Sequence, residues 1–171
     1  MGKQWKQLET LFSCHDLGPL GAAVNDAAIR RQIRIMKDMG VNAIRTSHNM
    51  PAPELVAACD EMGMMLMLES FDEWKSAKVS NGYNKIFDEW VEKDLVNLIH
   101  HYRNNPSVVM WCVGNEVPDQ WGGIKFARML QDICHREVRT CILTGLPGRG
   151  WHACERLRKW SILGTWKMHK K

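Results

Sequence analysis

Apolar runs alternate with amphipathic segments along the first 137 residues, and this alternation predicts four strand–helix units. The predicted strands are short and rich in apolar or β-branched residues: 10–16, 41–49, 64–70 and 108–113. The predicted helices place an apolar stripe between start and stop signals: 25–40, 53–63, 84–106 and 124–137. Strands and helices that alternate in this way form an α/β fold with a parallel sheet and right-handed crossovers.

The first predicted helix shows the signals most completely. Asn25 is an N-cap residue, and Ile29, Ile33 and Met36 follow at helical spacing on one face. Gly40 is the stop signal, because glycine adopts the left-handed conformation that ends many helices. The stripe therefore predicts the face that packs against the sheet.

The segment VVMWCVGNEV, residues 108–117, joins a strand pattern to a polar end. Its first six residues have the length and the branched or aromatic bias of a strand buried on both faces. Gly114, Asn115 and Glu116 follow where that strand emerges. Ligands bind beyond the carboxyl ends of parallel strands, so these residues are candidates for a functional site.

Polar and titratable residues follow all four predicted strands. They are His15 and Asp16 after the first, Arg45, His48 and Asn49 after the second, Glu69 and Asp72 after the third, and Asn115 and Glu116 after the fourth. One such residue alone is more often a cap or a structural hydrogen-bonding group than a catalytic group. Four successive strand ends with such groups indicate a functional site, because a purely structural sheet has no need to gather charge at one edge.

Composition excludes several classes of protein. The chain has 171 residues, 45% hydrophobic and 25% charged, which is typical of a globular domain. It lacks an apolar run of the roughly 18 residues that a membrane span needs, and its polar start lacks a signal-peptide core, so the sequence as written favours the cytoplasm. The six cysteines show no zinc or disulfide spacing, and we expect neither a metal nor a cofactor.

Charge divides the chain near residue 137. Residues 1–137 hold 15 Lys+Arg and 18 Asp+Glu, a balance of −3, whereas residues 138–171 hold 8 and 1, a balance of +7. We therefore predict a domain over 1–137 and a basic tail over 138–171 that is disordered or read from a shifted frame. A nucleic-acid-binding arm is the alternative interpretation of the tail.

Two stretches resemble the catalytic barrel of glycoside hydrolase family 2, which includes β-galactosidases, β-glucuronidases and β-mannosidases. They are GVNAIRTSHNMPAPELVAACDEMGMMLMLESFDEW and NNPSVVMWCVGNEV, and the similarity runs from about Cys14 to about Glu137. The resemblance implies a (β/α)8 TIM barrel, of which about the first four units are present. Since a complete barrel takes roughly 250 residues, we expect a truncated family member.

The resemblance also implies roles for the strand-end residues in a retaining β-glycosidase, which needs two carboxyl groups. Glu116 corresponds to the general acid/base, and Asn115 to the residue that hydrogen-bonds the sugar 2-hydroxyl. Arg45 and His48 correspond to residues that line the sugar subsite. Glu69 has a counterpart in the family, which usually has Asp-Glu where this chain has Leu68 and Glu69.

Three further expectations follow. We expect Glu69, His15 and Asp16 to join the substrate-binding set, although a metal site formed by these three residues is an alternative. We expect Glu116 to be buried near Trp111 and beside another carboxylate, and both would keep it protonated at neutral pH. The family's nucleophile lies on a later strand than the match reaches, so no nucleophile is assigned.

The expected partner is a β-linked oligosaccharide or glycoside, with no nucleic acid and no membrane. Without a nucleophile we expect weak turnover or none. The alternatives are a carbohydrate-binding remnant without turnover and an interaction protein that acts through its basic tail. A partial barrel would also expose an apolar sheet face and open strand edges, which favours self-association.

Overall fold

The computed structural model describes residues 11–12, 20, 23–121, 125–138 and 143–144. Five strands form one parallel sheet in the order β1-β2-β3-β4-β5: β1 Leu11–Phe12, β2 Ala43–Thr46, β3 Met65–Glu69, β4 Val108–Cys112 and β5 Leu143–Thr144. Four α-helices join or follow them: α1 Asp26–Asp38, α2 Pro53–Met62, α3 Phe87–Tyr102 and α4 Lys125–Glu137. Short 3-10 turns lie at Tyr83–Lys85 and Pro118–Trp121.

Each strand pairs with its neighbours in sequence, and this order decides the architecture. Parallel strands joined by right-handed crossovers in unbroken order place their helices on one face of the sheet. A doubly wound sheet would instead reverse its strand order at one point. The predicted barrel-type α/β fold, with about four strand–helix units, is confirmed.

The local helix signals act as predicted. The side chain of Asn25 accepts a hydrogen bond of 2.9 Å from the backbone N–H of Ala28, so it caps α1. Helix α2 begins at Pro53 and is capped after Met62 by Gly63, whose φ of 69° lies in the left-handed region. The apolar stripes predicted for α1, α3 and α4 are buried: Ile29, Ile33, Met36, Phe87, Val91, Leu95, Leu98, Tyr102, Ala127, Leu130 and Cys134.

The sheet has one fully buried face and one half-buried face in β2 and β3. Ile44, Leu66 and Leu68 are buried in the hydrophobic core, whereas Met65 and Met67 on the opposite face are half-buried. Side chains alternate across a strand, so the helices cover the first set and leave the second partly open.

Strand β4 differs from the prediction of a strand buried on both faces. Val109 is 41% exposed, because the pairing of β3 with β4 shifts register at this residue. Leu66 pairs with Val108 and Met67 pairs with Met110, so Val109 is an extra residue of the bulge type. The burial prediction is therefore wrong for the first half of β4, whereas Trp111 is buried as expected.

Two residues of the predicted basic tail lie in the sheet. Leu143 pairs with Trp111 and Thr144 pairs with Cys112, which makes β5 the neighbour of β4. The domain boundary at residue 137 stays a prediction. In the part of the chain that the structure describes, no helix is long and apolar enough to cross a lipid bilayer.

Candidate active site

Glu69, the last residue of β3, is the centre of a polar cluster at the carboxyl edge of the sheet. Its side chain is fully buried, and Arg45 binds both carboxylate oxygens, with Nη2 at 2.7 Å from Oε1 and Nε at 3.2 Å from Oε2. The Nδ1 atom of His48 lies 2.9 Å from Oε2 of Glu69. The peptide bond between Ser47 and His48 is cis. A buried carboxylate needs a charged partner such as Arg45, together with further hydrogen bonds, to remain in the interior.

Asn115 connects this cluster to the end of β4. Its Oδ1 accepts a hydrogen bond of 2.9 Å from Arg45 Nη2, and its Nδ2 donates one of 3.2 Å to Asp72 Oδ1. The backbone N–H of Asn115 donates to the carbonyl oxygen of Phe71 at 3.2 Å. The amide plane of Asn115 is therefore fixed from both ends.

Glu116 follows directly and differs from its neighbours. Its side chain is exposed, so the expectation that it is buried near Trp111 is wrong. Within the described residues its carboxylate has no hydrogen bond or ion pair. Its φ of 44° lies in the left-handed region, which costs a non-glycine residue on the order of 1–3 kcal/mol. The fold thus holds, in an unfavourable backbone conformation, a carboxylate that none of the described residues binds.

Close packing around Trp74 explains Gly114 in the GNE sequence. The Trp74 ring is fully buried, and its Nε1 donates a 2.7 Å hydrogen bond to the carbonyl oxygen of Val113. A Cβ atom at Gly114 would lie 2.9 Å from Trp74 Nε1, closer than side chains tolerate. A glycine is needed here because an indole packs against the backbone.

The loop between β3 and α3, residues 70–86, forms one wall of the site and is held by buried carboxylates. Glu73 accepts hydrogen bonds from the backbone N–H groups of Lys78 at 2.7 Å and Asn84 at 2.8 Å. Burial alone would raise the pKa of Glu73, but these hydrogen bonds outweigh it and hold the pKa below its ordinary value. Asp119 accepts hydrogen bonds of 2.9 Å from both the backbone N–H and the hydroxyl of Ser76.

Lys78 lies in this loop and contacts the segment that follows β4. Among the described residues of the loop, it is the one cationic side chain that does so. Its Nζ donates to Asp72 Oδ1 at 2.8 Å and to the carbonyl oxygen of Asn115 at 2.5 Å. Burial raises the pKa of Asp72, but the hydrogen bonds from Lys78 and Asn115 outweigh it and lower the pKa overall. Asp72 therefore stays ionised while it contacts both residues. It also borders a cleft of about 260 Å³ that Asn49 and Tyr83 help to line.

Comparison with known proteins identifies the family to which the chain belongs. The family model described as "Glycosyl hydrolases family 2, TIM barrel domain" matches residues 13–138. The chain belongs to this family. Beta-galactosidase BoGH2A of Bacteroides ovatus is 54% identical over 111 residues, which are 65% of this chain and 13% of that protein. A putative beta-glucuronidase of Formosa agariphila is 40% identical over 99 residues, 58% of this chain and 10% of that protein.

Solved structures of family 2 relatives share the fold. The structure of a beta-glycosidase from Bacteroides vulgatus has a TM-score of 0.76 and 36% identity, and the match covers 80% of this chain and 17% of that one. The beta-glucuronidase of Parabacteroides merdae matches with a TM-score of 0.68 at 27% identity, over 80% of this chain and 17% of that one. This family 2 chain therefore spans less than a fifth of the length of these relatives.

The structure brings together four of the predicted site residues of this family 2 chain: Arg45, His48, Glu69 and Asn115. Glu116 follows Asn115 directly in the sequence and is exposed at the same edge. His15 and Asp16 lie outside the described residues, so their predicted roles stay predictions. Among the residues that the structure does describe, no cluster of three or more His, Cys, Asp or Glu residues is arranged to hold a metal ion.

Sequence reasoning missed the part that the 70–86 loop plays in the site. The roles of Glu73, Lys78 and Asp119 were not predicted, and Asp72 was recognised only as a polar strand-end residue. For Asp72, Glu73 and Lys78 the one sequence signal is the density of charged side chains in ESFDEWKSAK, which by itself is equally typical of a solvated loop.

Proposed function

We propose that this chain carries the acid/base part of a retaining β-glycosidase site, with Glu116 as the general acid/base. The observation that carries the proposal is an exposed carboxylate without a partner in the described residues, directly after an asparagine fixed by Arg45 and Asp72. A group that gives up and takes back a proton must be free to reach the glycosidic oxygen.

Glu116 would act twice in such a reaction. As the nucleophile's carboxylate bonds to the anomeric carbon, Glu116 donates its proton to the glycosidic oxygen, whose bond to that carbon breaks, and the alcohol is released. The resulting Glu116 carboxylate then removes a proton from the water that attacks the anomeric carbon; the bond to the nucleophile breaks, and the acid is regenerated.

Asn115 keeps one donor for the substrate. Its Nδ2 carries two hydrogens, of which the Asp72 bond uses one, while Oδ1 is engaged by Arg45. The second N–H is available to the sugar 2-hydroxyl, a contact that strengthens in the transition state of this chemistry.

His48 offers an acceptor by the same reasoning. Its Nδ1 faces a carboxylate oxygen of Glu69, which can only accept, so Nδ1 carries a hydrogen and Nε2 is the nitrogen that faces away from Glu69 when the ring has a single hydrogen. Nε2 then has a lone pair for a sugar hydroxyl. Glu69 would thus act through Arg45 and His48, whose orientation it fixes, rather than by contact with the sugar.

The nucleophile is proposed to come from a residue outside the described ones. Retaining glycosidases place the two carboxyl groups about 5–5.5 Å apart, but the other carboxylates in this cluster are already paired. Glu69 is held by Arg45 and His48, and Asp72 by Lys78. The same observation favours a second candidate function, in which the chain binds a sugar without turnover.

Hydrolysis of chromogenic β-galactoside, β-glucuronide and β-mannoside by the chain tests the proposal. Glu116→Gln should abolish any turnover, whereas Glu54→Gln, an exposed glutamate at the start of α2, should leave it unchanged. Saturable binding without turnover would support the second candidate. Turnover that survives Glu116→Gln would refute the assignment of the acid/base.

A further inference from the structure

The Lys78 ammonium group makes two hydrogen bonds, and one of them holds the backbone carbonyl immediately before Glu116. We propose that Lys78, with Asp72 as its partner, is a positioning residue that holds the Asn115–Glu116 turn in the conformation that presents the Glu116 carboxylate. The inference rests on the proposed role of Glu116 and assigns a function to a loop lysine that is 37 residues away from Asn115 in the sequence.

The contacts form a closed set of three residues. Lys78 Nζ donates to Asp72 Oδ1 at 2.8 Å and to the carbonyl oxygen of Asn115 at 2.5 Å. Asp72 Oδ1 in turn accepts a hydrogen bond of 3.2 Å from Asn115 Nδ2. Lys78 therefore holds the backbone of Asn115 directly and its side chain through Asp72.

The carbonyl that Lys78 binds belongs to the peptide bond that leads into Glu116. That residue has a φ of 44°, and a non-glycine residue persists there only when its surroundings fix it. On the other side of the turn, the backbone N–H of Asn115 donates to the Phe71 carbonyl at 3.2 Å. The two bonds together restrain the peptide plane before and after Asn115.

Lys78 itself extends from an anchored backbone. The carboxylate of Glu73, which is 4% exposed, accepts a 2.7 Å hydrogen bond from the Lys78 backbone N–H. Ser76 is bound at 2.9 Å by Asp119, three residues beyond Glu116. An ammonium group on a fixed backbone loses less conformational freedom when it binds than one on a mobile loop.

Partial exposure points to positioning rather than to global stability. The side chains of Lys78 and Asp72 are 23% and 50% exposed, and ion pairs at such sites add little to the free energy of folding. Removal of Lys78 should therefore loosen the turn while the rest of the chain keeps its stability.

Hydrogen–deuterium exchange on the full chain tests this inference through Lys78→Met, with Lys75→Met as the matched control. Lys75 lies in the same loop and pairs with the exposed Asp88 instead of Asn115. Lys78→Met should raise exchange across residues 113–119 by about tenfold, the change that corresponds to one lost charge-assisted hydrogen bond. Exchange in α1 should be unchanged in both variants.

Two further measurements separate positioning from a general loss of structure. Lys78→Arg, which keeps the charge and the donors, should restore most of the protection over 113–119. Carbon-13 NMR of the Asp72 carboxyl should show a higher pKa in Lys78→Met and no change in Lys75→Met, since Lys78 helps to lower that pKa.

Equal exchange over 113–119 in Lys78→Met and Lys75→Met would overturn the inference, as would a rise in α1 of the same size. Glu116→Gln separates the inference from the proposed function. If that variant retains turnover, the proposed function fails, whereas the exchange result still decides whether Lys78 holds the turn.

Discussion

Removal of the Arg45 guanidinium should leave a fully buried carboxylate without its main partner. Arg45 supplies two hydrogen bonds to Glu69, at 2.7 and 3.2 Å, and His48 supplies one further contact at 2.9 Å. Breaking a buried ion pair from one side costs about 3–5 kcal/mol. Because the Arg45 side chain is 17% exposed and His48 remains, we expect Arg45→Met to lower the free energy of unfolding by about 2–4 kcal/mol.

Urea unfolding followed by circular dichroism measures this change, and a double variant provides the control. Arg45→Met combined with Glu69→Leu removes both charges and should lie within about 1 kcal/mol of the original chain, since apolar pairs often replace buried ion pairs without loss. The reasoning would be refuted if the single variant were as stable as the double variant. In that case the Glu69 carboxylate would not depend on Arg45.

The remaining predictions concern packing, pH and association. Gly114→Ala should lower the melting temperature and reduce the free energy of unfolding by about 1–3 kcal/mol, because Trp74 is fully buried and cannot move away. An unchanged melting curve would contradict the close packing. Glu73 has a lowered pKa in the folded state, so its stabilisation is present above the ordinary glutamate pKa and is lost as the pH falls through the lowered one. Glu73→Gln should lower the free energy of unfolding by about 1–3 kcal/mol at neutral pH. The variant should also lose less stability than the original chain as the pH falls, which urea unfolding at several pH values measures. If the half-buried face that carries Met65 and Met67 drives self-association, size-exclusion chromatography should show a larger species at higher protein concentration. A monomer at every concentration would contradict self-association through this face.

The elements could be predicted from the sequence because their signals are local. The capping of α1 by Asn25 and the left-handed Gly63 at the end of α2 depend on residue type and spacing over a few positions. The meeting of Arg45, Glu69 and Asn115 could be predicted as well, since the carboxyl ends of consecutive parallel strands share one edge.

The remaining features depend on contacts between distant parts of the chain. Lys78 reaches the Asn115 carbonyl across 37 residues, from a loop without a repeating pattern. The exposure of Val109 follows from a register shift against β3, which the composition of β4 does not reveal. The exposure of Glu116 is set by the path of the backbone beyond β4, whereas its neighbours in the sequence favoured burial.

NMR titration of the nitrogen-15-labelled chain with a non-hydrolysable thio-linked β-galactoside tests most directly whether this edge of the sheet binds a sugar. It detects binding whether or not the chain catalyses turnover. The account predicts saturable shifts of the Asn115 side-chain amide and of the backbone amides of Glu116 and Arg45, and predicts that Asn115→Ala weakens binding. Saturable shifts confined to other parts of the chain, or an Asn115 amide that does not respond, would contradict it.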